Sequence, residues 1–220
     1  MTPNRQLVFD LPTRAAAGRD DFFVADANRV ALAQVEDWAN WPLGKLVLSG
    51  DAGSGKSHLA SVFAELTGGH VIAARDAGAD TPAMPLAIDD VPDIAGDRAA
   101  EQRLFHLHER VIAAGWPMLF IGRGGPGSWN IGLQDLSSRL MAAGHGRIMP
   151  PDDALLNVVI VKHFHDRQLN VSPAIVTYLA QRIDRSLADV ETIVARLDQA
   201  ALSVKRPISK ALIARILEQT

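Results

Sequence analysis

The chain has 220 residues, 48% hydrophobic and 21% charged, enough to bury an ordinary core in one domain with at most a small appendage. Net charge is −3, with 13 basic against 17 acidic residues up to residue 150 and 9 against 8 beyond, so neither part has the basic excess of a protein built mainly to grip nucleic acid. Cysteine is absent, which excludes disulfides and thiolate metal sites; no apolar run approaches the ~20 residues of a membrane span or forms a signal-peptide core, so the expected location is the cytoplasm.

Near the start stands RQLVFDLP, residues 5–12. Leu7, Phe9 and Leu11 alternate, with Val8 between, as in an edge strand, but Pro12 and an Ala-Gly run follow at once. Two readings are open. The segment is either a strand of the protein's own sheet or a short peptide, Gln6-Leu7-Val8-Phe9-Asp10-Leu11, held out for a partner. Ahead of the first core element, its apolar residues are free to fill a partner's pocket while Gln6 adds directional hydrogen bonds.

Chemistry enters at LVLSGDAGSGKS, residues 46–57. Leu46-Val47-Leu48 reads as a buried strand, and Gly50-Asp51-Ala52-Gly53-Ser54-Gly55-Lys56-Ser57 fits G-x-x-x-x-G-K-[ST] with a helical pattern from His58 to Leu66 behind it. Strand, glycine-rich loop and helix in this order form a phosphate cradle: glycines let successive N–H groups turn inward at a helix N-terminus. Lys56 is placed for the β- and γ-phosphates, and Ser57 for Mg²⁺.

A metal-holding acid is expected on a neighbouring strand, and MPLAIDDVPDI, residues 84–94, supplies one. Leu86-Ala87-Ile88 ends in Asp89, assigned to Mg²⁺ through its water shell, and Asp90, assigned to polarising the attacking water. Leu104, Leu107, His108 and Val111 then recur at helical spacing within 99–114, ahead of a further strand at 117–121. Strand, helix, strand predicts an α/β fold with a parallel sheet. His106 and His108 lie two apart, on different helix faces, and so do His163 and His165; both pairs read as solvated or packed residues, not metal ligands.

From Pro151 the texture changes: 154–163, 173–183, 187–202 and 209–217 show apolar residues at threes and fours with no strand pattern between. A phosphate-loop core followed by such a bundle is the layout of AAA+ ATPases, with the bundle as a lid over the nucleotide. The chain divides accordingly into a tail and linker, 1–18, an AAA+ α/β core, 19–150, and a helical lid, 151–220.

Several stretches carry a more specific resemblance. RDDFFVADANRVALAQV (19–35) resembles the F-x-x-F-V-x-G-x-x-N-x-x-A opening of the ATPase domain of the bacterial replication initiator DnaA. GDAGSGKSHLA, including His58, is similar to that family's phosphate loop, LAIDDV to its L-L-I-D-D-I, LQDLSSRLMAAGHGRIMPPDDALL (133–156) to the segment around its arginine finger, and ISKALIARIL to its closing lid helix. DnaA continues into a helix-turn-helix domain, whereas this sequence stops at Thr220. Such a module behind a short Q-L tail resembles the Hda family of DnaA regulators.

The resemblance implies ADP or ATP with Mg²⁺, held by the loop, His58, Phe23 and Val24; DnaA as a partner; and docking of residues 6–11 on the sliding β clamp of DNA polymerase III, with DNA met only through the clamp and self-association left open. It also implies that Arg139 reaches the γ-phosphate of a neighbouring subunit; the structural alternative is a helix-end arginine capping carbonyls or pairing with Asp135. Two positions depart from the family: Gly122 stands where a polar sensor is usual, and Glu191 where a lid arginine senses nucleotide, with Arg185 nearby but off register. These departures imply slow intrinsic hydrolysis. The function implied is regulatory inactivation of DnaA; the alternative is a self-sufficient AAA+ ATPase of helicase-loader or remodeller type.

Overall fold

The computed structural model describes residues 18–19, 22–204 and 207–218. The Gln6 to Leu11 segment lies outside the described residues. Five short runs become strands β1 (Lys45–Ser49), β2 (His70–Ala73), β3 (Leu86–Asp89), β4 (Met118–Gly122) and β5 (Gly144–Arg147), paired in parallel in the order β2-β3-β4-β1-β5. Helices α1 (Arg29–Glu36), α2 (Lys56–Thr67), α3 (Arg98–Ala113) and α4 (Gln134–Met141) complete this part.

Strands β1, β3 and β4 are the continuous apolar runs that the sequence marks, because a strand covered on both faces needs no polar alternation. The edges β2, HVIA, and β5, GHGR, lack that signal. The second depends on its neighbour: a Cβ at Gly144 would lie 3.2 Å from Leu46 Cδ1, and one at Gly146 only 2.8 Å from Gln34 Oε1. Glycine lets the backbone of β5 slot between β1 and α1.

Successive strand residues feed opposite faces. Val47, Ile88 and Phe120 pack with Leu104, Leu107 and Trp129 on the α3 and α4 side. Leu46, Leu48, Ala87 and Leu119 pack with Leu32, Val35 and Phe63 on the α1 and α2 side, where Trp41 stacks on Phe63 at 5.2 Å. On the first side buried Glu101 accepts backbone N–H bonds from Gly96, Gly132 and Leu133 at 3.0, 3.0 and 2.7 Å. Burial pushes its carboxyl up, but these three donors outweigh burial and hold it below the usual range.

Helices α5 (Asp153–Asp166), α6 (Pro173–Ala180), α7 (Leu187–Val204) and α8 (Lys210–Leu217) enclose a separate core of Leu156, Ile160, Phe164, Leu179, Val194, Leu197 and Ile213. The helix expected over 173–183 stops at Ala180. Asp152 accepts the Leu155 N–H at 2.7 Å and Ser209 the Leu212 N–H at 3.3 Å, so α5 and α8 begin on side-chain caps. No helix among the described residues is long and apolar enough to cross a membrane.

His106 is exposed but His108 is buried against Phe120, with Nδ1 3.1 Å from Glu109 Oε1 and no partner for Nε2 among the described residues. Burial, then the Lys45 charge, lower its pKa from 6.5 to about 4. Above pH 6.5 the ring is neutral in folded and unfolded chains alike; between 6.5 and about 4 only the unfolded chain takes the proton, so stability falls as pH falls through that window. Thermal melts at pH 7.5 and 4.5 should show a smaller acid loss for His108→Leu than for the native chain; an equal loss would assign the acid sensitivity elsewhere.

Candidate functional site

After Ser49 the chain turns through residues 50–55 into α2, and the turn needs its glycines. Gly53 and Gly55 hold φ of +63° and +97°, the left-handed region that other residues enter at a cost of about 1–2 kcal/mol. A Cβ on Gly50 would lie 2.6 Å from Ser54 Oγ and 3.1 Å from the Ile148 carbonyl. Buried Lys56 curls back, its amine donating to the carbonyls of Gly50 at 3.0 Å and Asp51 at 2.6 Å. Desolvation lowers its pKa, partly offset by Asp89. Ser54 Oγ is buried and has no hydrogen-bond partner among the described residues, an orphan that a phosphate oxygen would satisfy.

The Ser57 hydroxyl donates to Asp89 Oδ2 at 2.8 Å across the gap between α2 and β3. A hydroxyl beside a carboxylate suits Mg²⁺. Among the described residues no cluster of three His, Cys, Asp or Glu could hold a metal; Ser57 and Asp89 would hold a cation here only with further ligands from phosphate and water. Asp90 follows with φ of +53°, its N–H donating to Asp89 Oδ1 at 2.9 Å. Burial, with the Asp89 and Asp93 charges, pushes its carboxyl up, as suits a group that exchanges a proton with water.

The loop opens on a cleft of about 600 Å³ between core and lid. Its core wall includes Phe22, Phe23 and His58; the latter's Nε2 lies 3.1 Å from the Gly18 carbonyl and its ring edge-on to Phe22 at 5.0 Å. Buried Asn28 fixes the arch above, accepting from Ala25 N–H at 2.8 Å and donating to the Phe23 carbonyl at 2.9 Å. Val24, expected at the nucleotide, is exposed and lines no part of the cleft.

On the lid wall the sequence singles out Glu191 alone. Val159, His163 and Asp166 of α5 and Leu187 and Glu191 of α7 face the loop. Spacing alone left His163 a solvated or packed residue, since nothing local shows which helix face the core will cover. Glu191 lines the cleft, and Arg185 is tied to Asp153 at 2.8 Å. At the position of the missing sensor, a Cβ on Gly122 would lie 2.6 Å from Pro92 Cδ and 2.8 Å from Trp129 Cζ2, so the indole occupies the space a polar side chain would need.

Arg139 stands at the other end of the sheet. Its carbonyl accepts from the Lys45 amine at 3.3 Å, at the start of β1, while the phosphate loop follows the end of that strand. Its guanidinium neither caps the helix end nor meets Asp135: Nε lies 3.3 Å from Glu109 Oε1, both side chains half exposed. The pairing with Asp135 that stood as the structural alternative is thus replaced by one to α3.

Residues 153–217 match the family described as Hda, lid domain. Across the whole fold, domain III of the Thermotoga maritima replication initiation protein DnaA is 16% identical with a TM-score of 0.80, over 95% of this chain and 98% of that one. AMPPCP-bound DnaA from Aquifex aeolicus is 18% identical at 0.66, over 84% of this chain and 65% of that one. The Thermotoga maritima RuvB Holliday junction branch migration motor is 18% identical at 0.69, over 92% and 71%.

Replacing Lys56 with alanine removes a charge-assisted phosphate donor worth about 1.5–3 kcal/mol. Calorimetry with a Mg²⁺-nucleotide should register that loss of affinity for Lys56→Ala. Equal affinity for both proteins would show that the loop does not grip phosphate.

Proposed function

We propose that this chain, a Hda/DnaA-like AAA+ module, regulates replication initiation by acting in trans on ATP bound to DnaA while docked on the sliding clamp through Gln6 to Leu11. Its own cleft holds ADP or ATP with Mg²⁺: residues 50–57 take the phosphates, Ser57 and Asp89 the cation, and Phe23 and His58 the nucleoside side. The bound cation supplies charge neutralisation at the phosphates. The Hda lid match over 153–217 and the DnaA-like fold support this reading.

One observation carries the mechanism. Arg139 and the phosphate loop occupy opposite ends of β1, a five-residue strand about 16 Å long. That separation exceeds the reach of an arginine side chain, so Arg139 has no access to the phosphates of its own subunit. An exposed arginine there serves a neighbour, neutralising the charge that develops at a γ-phosphate, an effect of ~10³–10⁵ in rate in related systems. Meanwhile Glu191 in the cleft and the indole at Gly122 weaken the chain's own turnover, which favours the regulator over the self-sufficient ATPase.

The mechanism is tested by single-turnover hydrolysis of radiolabelled ATP bound to DnaA, with clamp loaded on DNA. Arg139→Ala should keep clamp and nucleotide binding but lose stimulation, and Arg139→Lys should rescue poorly, because an ammonium lacks the planar fork. Full stimulation by Arg139→Ala would move the finger elsewhere. Absence of stimulation by the native chain would overturn the regulatory reading in favour of the self-sufficient ATPase.

Docking is tested separately. Alanine at Gln6 and Leu7 should abolish capture by purified β clamp while leaving the melting temperature unchanged, since a tail peptide contributes to its partner's pocket and not to its own core. A clear fall in melting temperature would restore the internal-strand reading.

A further inference from the structure

The end of the sheet that carries Arg139 is a built arrangement. Buried Lys45 donates its amine to the Arg139 carbonyl at 3.3 Å, fixing the last turn of α4 to the start of β1. On α3, Glu109 Oε1 lies 3.1 Å from His108 Nδ1 and 3.3 Å from Arg139 Nε. Lys45 therefore holds the backbone of Arg139 and Glu109 its side chain. The Glu109 contact uses only the inner guanidinium nitrogen. Among the described residues, Nη1 and Nη2 have no hydrogen-bond partner, and these two form the fork that spans a pair of phosphate oxygens.

We infer that Glu109 is a positioning residue for Arg139, orienting the guanidinium through Nε so that its terminal fork meets the phosphate of a neighbouring AAA+ subunit. The inference rests on the trans action proposed above.

Two features separate a positioner from a lock. A lock must outcompete phosphate, and a half-exposed, single-contact ion pair is too weak for that. A lock would also occupy the fork, which Glu109 leaves alone. His108 fixes Glu109 in turn: with its proton on Nδ1 it donates to the carboxylate, leaving Nε2 as the bare acceptor in its buried setting. The Arg139 and His108 contacts hold the Glu109 carboxyl below its usual range against the effect of burial, so it is ionised at neutral pH. An arginine chain ordered before the encounter loses less rotamer freedom in the transition state, which places the gain in rate and not in assembly.

The test is the same single-turnover assay, titrated with native chain, Glu109→Ala, Glu109→Gln, Arg139→Ala and the Glu109→Ala/Arg139→Ala double variant. Glu109→Ala should lower the limiting rate by about three- to tenfold while the half-saturating concentration stays within about twofold. Glu109→Gln, which keeps an acceptor oxygen but not the charge, should fall between Glu109→Ala and the native chain. The double variant should be no slower than Arg139→Ala alone, because a positioner has nothing to act on once the finger is gone. Three results overturn the inference: native stimulation by Glu109→Ala while Arg139→Ala is inactive, a faster limiting rate for Glu109→Ala, or a change confined to half-saturation. If Arg139→Ala itself stimulates normally, or the native chain does not stimulate, the trans reading fails and takes this inference with it.

Discussion

A backbone hydrogen bond ties two separate cores together at the site: the Leu187 N–H, at the start of α7, donates to the carbonyl of Gly53 in the phosphate loop at 2.9 Å. The approach is so close that a Cβ on Gly53 would stand 2.5 Å from Ser186 Oγ and 2.6 Å from the Ala188 nitrogen. Glycine at this position therefore serves twice, once for its left-handed backbone and once for the contact between lid and loop. Because α7 begins on the loop, Glu191, one turn further along, is carried over the cleft. Any change in the loop's backbone is felt directly by the helix that closes it.

The parallel sheet imposes a second constraint. All five strands run the same way, so their ends divide the core into two chemically different faces. One carries Lys56, Asp89 and Asp90 and opens on the cleft; the other carries Lys45, His108, Glu109 and Arg139. The trans action proposed above would bring these unlike faces of neighbouring subunits together, head to tail. At the Arg139 face the His108 imidazole is buried against the apolar sheet, its Nδ1 beside Glu109 and its Nε2 without a partner among the described residues.

On the function proposed above, the cleft suits holding a nucleotide more than turning it over. At Gly122 the Trp129 ring and Pro92 fill the space beside β4, and the indole N–H is spent on the carbonyls of Arg123 and Gly124 at 2.9 and 3.1 Å. Arg185, just ahead of α7, pairs with Asp153. Glu191 lines the wall instead. On that reading an acid in the cleft raises the cost of each added phosphate charge, while the loop, the Ser57–Asp89 pair and the Asn28-braced arch remain intact.

The sequence by itself determined whatever is written locally. Glycines at 50, 53 and 55, the Lys56-Ser57 pair, the apolar runs of β1, β3 and β4 and the spacing of the lid helices each carry their signal within a dozen residues, because backbone conformation and burial period act over that range. Tertiary structure alone decided the rest. The strand GHGR has no strand signal and exists because β1 leaves an edge for it. His163, indistinguishable by spacing from His165, lines the cleft because of how α5 sits against α6 and α7. Arg139 has Asp135 one turn away in sequence yet meets Glu109 of another helix, because α4 lies against α3. Such pairings join residues 30 or more positions apart, and no local pattern encodes which partner the fold will bring within reach.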